Sequence, residues 1–218
     1  MLRYAAAERN IGPIGDVLAH YLQNGMKILE LASGTGQQSA ALADRFPQVT
    51  FQPSEVDPRL IHSIVGYVDH HRVVPFIFQS LICSYQFPNL RVPLHIDVTS
   101  VCTGWALPSD LRPGSVDAIL VVNLLHISDF AATNGVFEAA SSLLRPDGIL
   151  VVYGPFSREG SVFPESNRAF DRSLREQNPQ WGLRDTRQLR ELGISLNLTL
   201  VEQHEMPANN LTIVFRKR

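Results

Sequence analysis

Short apolar runs alternate along this chain with longer segments whose apolar positions recur every three or four residues. The runs Lys27–Leu31, Val49–Val56, Arg91–Ile96, Asp117–Asn123, Ile149–Tyr153, Leu196–His204 and Leu211–Arg216 read as strands. Helical spacing predicts helices between them. Ile14, Val17, Leu18, Tyr21 and Leu22 share one face, opened by Pro13 and closed at Asn24-Gly25. Gln37–Phe46 follows and stops at Pro47, and Leu60, Ile61, Ile64, Val65 and Val68 mark a helix beginning near Pro58. Two more are expected at Ala132–Leu144 and Thr186–Leu192. Strand and helix in alternation predict an α/β protein with a doubly wound, mostly parallel sheet. Asp117–Asn123, DAILVVN, is apolar on both faces, as a central parallel strand should be. Pro53 should put its strand at an edge or a bulge.

Two segments break the alternation. Residues 71–87, HRVVPFIFQSLICSYQF, are almost uncharged and exceed the usual two to six residues of a connection. We read them as an atypical apolar insert. Residues 157–190 are polar and irregular, and are expected to form a substrate-recognition segment at the carboxyl edge of the sheet.

The chemistry is concentrated in Lys27–Gln38, KILELASGTGQQ. An apolar strand carries an acid, Glu30, and runs through the small residues Ala32, Ser33, Gly34 and Gly36 into a helix. Such glycines permit a sharp turn and a close ligand approach, and the helix start offers free N–H groups. Three readings stay open at this point. A nicotinamide dinucleotide site would require a third glycine or an alanine where Ser39 stands. An S-adenosylmethionine (SAM) site requires an acid on the strand and no phosphate cradle. The third reading is a turn that only joins strand to helix. Glu55 follows about twenty residues later, where a strand-end acid accepts from ribose hydroxyls, whereas Asp57 is expected to cap the next helix. Asp97 could accept from an adenine amino group with the Val98 N–H reaching the ring, or could form an Asx turn with Thr99. Asn123 closes the clearest strand at its carboxyl edge. No catalytic residue is assigned; His126, Tyr153 and Asp171 are the candidates for moving a proton, and a lone His after a strand is more often structural.

Bulk properties narrow the class. A chain of 218 residues suits one α/β domain, with 1–26 as a helical cap. A net charge of −2 gives no attraction to nucleic acid or to acidic membranes, so neither is an expected partner. Cys83 and Cys102 have no metal-ligand spacing, no metal is expected, and two cysteines fit a reducing compartment. Without a signal-peptide layout or an apolar run of about 18 residues, the expected location is the cytoplasm, with the nucleus open and secretion excluded.

The ordered set Glu30, Gly34-x-Gly36, Glu55, Asp97 and Asn123 resembles that of the class I SAM-dependent methyltransferases. More closely, the chain resembles the methyltransferase-like protein 26 family. The stretches that carry this are AAAERNIGPI (5–14), LELASGTGQ (29–37), FQPSEVDP (51–58), NLLHIS (123–128), YGPF (153–156), SNRAFD (166–171), NPQWGLRD (178–185) and MPANN (206–210). The resemblance implies a single methyltransferase-like domain over 1–218, a seven-stranded sheet with the last strand reversed, and SAM as cofactor. By it, Glu30 and Gly34 border the methionine end, Glu55 the ribose and Asp97 the adenine. It names no acceptor; a small molecule is expected, with protein acceptors open. Asn123 is followed by Leu-Leu, not Pro-Pro-aromatic, so the pattern of enzymes that methylate DNA bases or glutamine is absent. The insert departs from the family pattern, and it ends Tyr85-Gln86, which codons ending in CAG could encode, as at an unspliced intron end. The rival readings are a catalytically silent SAM-fold scaffold and a nicotinamide-dependent oxidoreductase.

Overall fold

The structure is a computed structural model that describes residues 1–78 and 89–218. Its strands are β1 (Lys27–Leu31), β2 (Thr50–Glu55), β3 (Leu94–His95), β4 (Val116–Val122), β5 (Leu144–Gly154), β6 (Phe156–Ser157), β7 (Arg184–Asp185), β8 (Leu198–Met206) and β9 (Asn210–Lys217). Its helices are α1 (Ala5–Leu18), α2 (Gln37–Arg45), α3 (Pro58–Phe78), α4 (Phe130–Leu143), α5 (Glu165–Gln177) and α6 (Thr186–Ser195). Seven strands form one sheet in the order β3-β2-β1-β4-β5-β9-β8, and β6 and β7 form a separate parallel pair. The last strand, β9, runs antiparallel to both of its neighbours, β5 and β8. This is the doubly wound, mostly parallel seven-stranded sheet that the sequence predicts. Among the described residues no helix is long and apolar enough to cross a membrane.

The chain divides into two compact units, residues 1–97 and 98–218. In the first, β1 pairs in parallel with β2, and β2 with β3. Ile28, Leu29 and Leu31 of β1 are fully buried, as are Leu42, Phe51, Ile64 and Val68. In the second, β4 pairs in parallel with β5, and Phe137 of α4 meets Phe215 of β9 edge to face at 5.0 Å. Here Ile119, Val121, Leu150, Val151, Ile213 and Val214 form the sheet side of the core.

Four local expectations need correction. First, α1 begins at Ala5 and contains Pro13, instead of starting there. The alanine-rich start favours helix, and an interior proline removes one backbone N–H without ending the helix here. Second, β2 lies between β1 and β3 and is no edge. Phe51 donates its N–H to Asn89 O at 2.7 Å and Glu55 O accepts from Ile96 N–H at 3.1 Å, both toward β3. Pro53, between them and oriented alike, has no N–H to give. The Gln52 amide fills that gap, donating to Pro53 O at 3.1 Å and Val92 O at 2.7 Å. Third, the strand predicted at Ile149–Tyr153 begins earlier: β5 starts at Leu144, directly after α4, and takes in Pro146-Asp147-Gly148, where its register against β4 jumps from Val116–Leu144 to Ala118–Ile149. Fourth, residues 157–190 are ordered rather than irregular, as β6, α5, β7 and the start of α6. In α5 only Asn167 and Leu174 are buried, so the helix is polar over most of its surface. As for the predicted insert, α3 reaches Phe78 and so covers its first eight residues, and the remainder lies outside the described residues.

Candidate functional site

In the first unit the turn after β1 is built from alternate left-handed residues, Ala32 (φ 54°), Gly34 (58°) and Gly36 (84°). It is stitched to β2: Ser33 donates its N–H to Ser54 O at 2.8 Å, and Ser54 Oγ donates to Glu30 O at 2.8 Å. The two glycines answer to different demands. A Cβ on Gly36 would come within 2.9 Å of Ile64 Cγ1 and 3.0 Å of its Cα, so this glycine lets α3 approach the turn. A Cβ on Gly34 would meet nothing within 4 Å, so the space above this residue is open.

Two acids face the turn. Glu55 is buried and held by three backbone donors: Gly34 N–H on Oε2 at 2.9 Å, and Val56 and Asp57 N–H on Oε1 at 2.8 and 3.3 Å. Asp57 accepts from Arg59 N–H at 2.8 Å and caps α3, as the sequence predicts, and its hydrogen bonds to Arg59 hold its carboxyl below the usual range. Glu30 is 1% exposed. Burial pushes its pKa up to about 7, against the hydroxyls of Ser39 and Ser33, and repulsion from Glu55 adds to the rise. Ser39 Oγ donates to Glu30 Oε2. The residue that stands in place of a third glycine is thus the partner of the strand acid. Neighbouring Gln38, 4% exposed on the first turn of α2, has no partner for either amide atom among the described residues. The first residues of the chain lie against the same region. Tyr4 N–H donates to Gln37 Oε1 at 3.0 Å, and Leu2 N–H to Ser63 Oγ at 2.7 Å. Asp97, beyond β3, is exposed at the end of this unit.

In the second unit Asn123 leaves β4 in a left-handed conformation (φ 56°) and donates its N–H to Tyr153 O at 2.9 Å. A Cβ on Gly154 would lie 3.5 Å from His126 Nδ1 and 3.6 Å from Asn123 Oδ1, so Asn123, His126 and Gly154 meet at the carboxyl edge of β4 and β5. His126 is 7% exposed; burial first, then the charge of Arg184, push its pKa down to about 4. Its ring meets Phe170 edge-on at 5.6 Å. The Tyr153 side chain is buried in the core, and Val98 is buried as well. Asp171 is fully engaged: Oδ1 accepts from Leu183 N–H at 2.8 Å and Oδ2 from Arg175 Nε at 2.9 Å. That bonding makes it a tie between α5 and the 182–184 segment.

Arg184 escaped the sequence reading. It is buried, with Nε donating to Thr133 Oγ1 at 3.3 Å, Nη1 to Gly182 O at 3.0 Å and Nη2 to Ser128 O. Its guanidinium also lies 5.6 Å from the Phe130 ring centre. The available signal was the run NPQWGLRD itself, since an Arg in a loop shows no sign of burial until its acceptors are in place. An open groove of about 520 Å³ runs along α5, lined by Val162, Arg168, Asp171, Arg172, Arg175 and Glu176. Its arginines face Glu165 or Asp171, so it presents balanced charge and does not include His126.

The sequence pattern of a family described as "Protein of unknown function (DUF938)" matches residues 2–217. The chain belongs to the DUF938 family. Among solved structures, it is similar to an O-methyltransferase family protein from Burkholderia thailandensis, with a TM-score of 0.72 and 16% identity over 96% of this chain and 56% of the other. An O-methyltransferase family 2 protein from Planctomyces limnophilus, solved in complex with apigenin, gives 0.71 and 18% over 97% and 57%. A chain from Galdieria sulphuraria assigned as a sarcosine dimethylglycine methyltransferase gives 0.68 and 15% over 99% and 91%. These likenesses show a methyltransferase-type Rossmann-like fold. The chain spans little more than half the length of the two O-methyltransferases.

Within each unit the structure brings together stretches that are distant in sequence. In the first, 29–37 and 51–58 meet through Gly34 and Glu55. In the second, 123–128 and 178–185 meet where Gly182 N–H donates to His126 O at 3.0 Å. There too, 166–171 and 206–210 meet where Asn167 Nδ2 donates to Asn209 O at 3.1 Å.

Proposed function

We propose that the chain is a SAM-dependent methyltransferase of the methyltransferase-like protein 26 kind, acting in the cytoplasm on a small-molecule acceptor and needing neither nucleic acid nor membrane. The observation that carries this reading is the turn after β1: left-handed, open above Gly34, and backed by Glu55, which three N–H groups hold in place. The buried, unpartnered amide of Gln38 beside it also fits a polar ligand. In this reading Glu30, Ala32, Ser33, Gly34 and Gly36 border the methionine end, Glu55 receives the ribose hydroxyls and Asp97 faces the adenine. Val98 and Asn123 enter on the sequence alone. When bound, SAM supplies a methyl group already activated on a sulfonium, so the protein's task is to hold and align. Ser39 supports this over a dinucleotide, because the dinucleotide pattern puts a glycine or alanine there for close packing of helix on strand, and here a hydroxyl bonded to Glu30 takes that place.

Calorimetry on the purified chain tests the reading. SAM and S-adenosylhomocysteine are expected to bind saturably and NAD not at all, and Glu55→Ala should weaken SAM at least tenfold, about 1.4 kcal/mol. Binding of NAD in preference to SAM, or no loss in Glu55→Ala, would overturn it.

A further inference from the structure

His126 is 7% exposed; Phe170 meets its ring edge-on, and the hydrogen bond it takes from Gly182 N–H goes to its backbone carbonyl and not to the imidazole. The acceptors around it are already in use. Ser128 O, Gly182 O and Thr133 Oγ1 all go to Arg184. Four stretches far apart in sequence build this place: 123–128, Gly154, Phe170-Asp171 and 182–184. Such an arrangement leaves the ring nitrogens for something outside the chain.

Charge indicates what that is. Arg184 is a buried cation whose hydrogen bonds reach only neutral oxygens. Asp129 and Asp171 act on Arg184 through space and Arg175 acts on it in the opposite sense, while at the histidine the charge that is felt is that of Arg184. A neutral imidazole within the field of a buried guanidinium can donate its N–H to an anion and disfavours an ammonium. The flanks are flat and apolar. Phe170, 39% exposed, touches the His126 ring, and Phe130, 40% exposed, lies by Arg184.

We propose that the second unit binds a small molecule with an anionic oxygen on a flat apolar body, the body against Phe170 and the oxygen on His126, and that this molecule is the methyl acceptor. The binding site stands on the second unit alone; the acceptor role rests on the methyltransferase reading. His126 is then a hydrogen-bond donor to the acceptor and not its base. An oxygen that is already ionised has lost its proton to solvent. Its lone pair forms the new O–C bond while the electron pair of the donor's C–S bond leaves with sulfur, so no residue must take a proton during transfer.

The test uses the full chain and three probes with one ring and different heads: benzoate, benzyl alcohol and benzylamine. Binding is followed by NMR on the His126 ring signals, assigned with His126→Asn. Benzoate is expected to saturate, to shift those signals, and to bind at least tenfold tighter than benzylamine. Phe170→Ala, which removes an exposed ring, should weaken benzoate at least fivefold and leave the melting temperature and SAM affinity unchanged. Benzylamine binding as tightly as benzoate, or benzoate binding that neither moves His126 nor responds to Phe170→Ala, overturns the proposal. SAM calorimetry on the same samples separates the two ideas. Benzoate binding without SAM binding keeps the site and removes its acceptor role. SAM binding without benzoate binding keeps the methyltransferase and removes the site.

Discussion

Gly34 and Gly36 stand two residues apart in one turn, yet they should fail differently. Each has φ above 50°, where a side chain costs about 1–2 kcal/mol. Gly36→Ala adds a clash with Ile64, and overpacking of that kind costs about 1–3 kcal/mol more. Gly34→Ala meets nothing. Thermal melts are therefore expected to show a large loss for Gly36→Ala and a small one for Gly34→Ala, while calorimetry shows weakened SAM binding in the still-folded Gly34→Ala. A Gly34→Ala protein that binds SAM like the parent would count against a ligand above that residue. Ala32 at φ 54° shows that the turn already tolerates one Cβ. The sequence indicated that these small residues make a turn. It could not say which of them faces a helix and which faces open space, because Ile64 lies 28 residues beyond Gly36.

At the scale of elements, α4 shows why a turn signal can be overridden. It contains Asn134-Gly135, a pair that commonly marks a turn, yet the helix runs through it. A Cβ on Gly135 would lie 1.7 Å from Val98 O, so the glycine is there for close approach. Gly135→Ala should cost about 3 kcal/mol, the upper part of the overpacking range, because the obstacle is backbone and cannot rotate away. Gly104→Ala in the same unit, where a Cβ meets nothing within 4 Å, should be near neutral. Urea denaturation of both variants checks the pair; equal midpoints would contradict the close approach. A different case is α5, a helix with few apolar residues inside a segment that the sequence leaves irregular. Asp171 and Asn167 tie it down through bonds to Leu183 and Asn209, contacts that a local reading cannot anticipate.

For the whole molecule, two buried groups set opposing pH dependences. The folded chain holds the His126 pKa down to about 4, so the unfolded chain binds the extra proton and stability is lost as pH falls from about 6.5 toward 4. It pushes the Glu30 pKa up to about 7, so the folded chain binds the extra proton and stability is lost as pH rises from about 4.5 to 7. Each amounts to about 3 kcal/mol at its limit. Between about pH 4.5 and 6.5 the two slopes oppose each other. Asp185 and Glu205, held below the usual range, add losses only at more acid pH. Calorimetric melts are expected to show a nearly flat parent profile over that window, a rising one in Glu30→Gln and a falling one in His126→Asn. Parallel profiles for all three would refute the assignment.

The sequence by itself determined what short-range chemistry controls. Apolar period set the alternation of strand and helix, and hence the sheet. Small residues set the turn after β1. An acid two residues before Arg59 set the cap of α3. Glu55 was legible because its distance from the glycine turn is set by one helix and one strand. Only the tertiary structure decided that Ser39 partners Glu30, that Pro53 interrupts an inner ladder instead of marking an edge, and that Arg184 lies buried beside His126. Each of those facts depends on groups brought together from different segments. Arg184 and Ser128 are separated by 56 residues, and a buried cation is recognisable only when the oxygens that surround it are known.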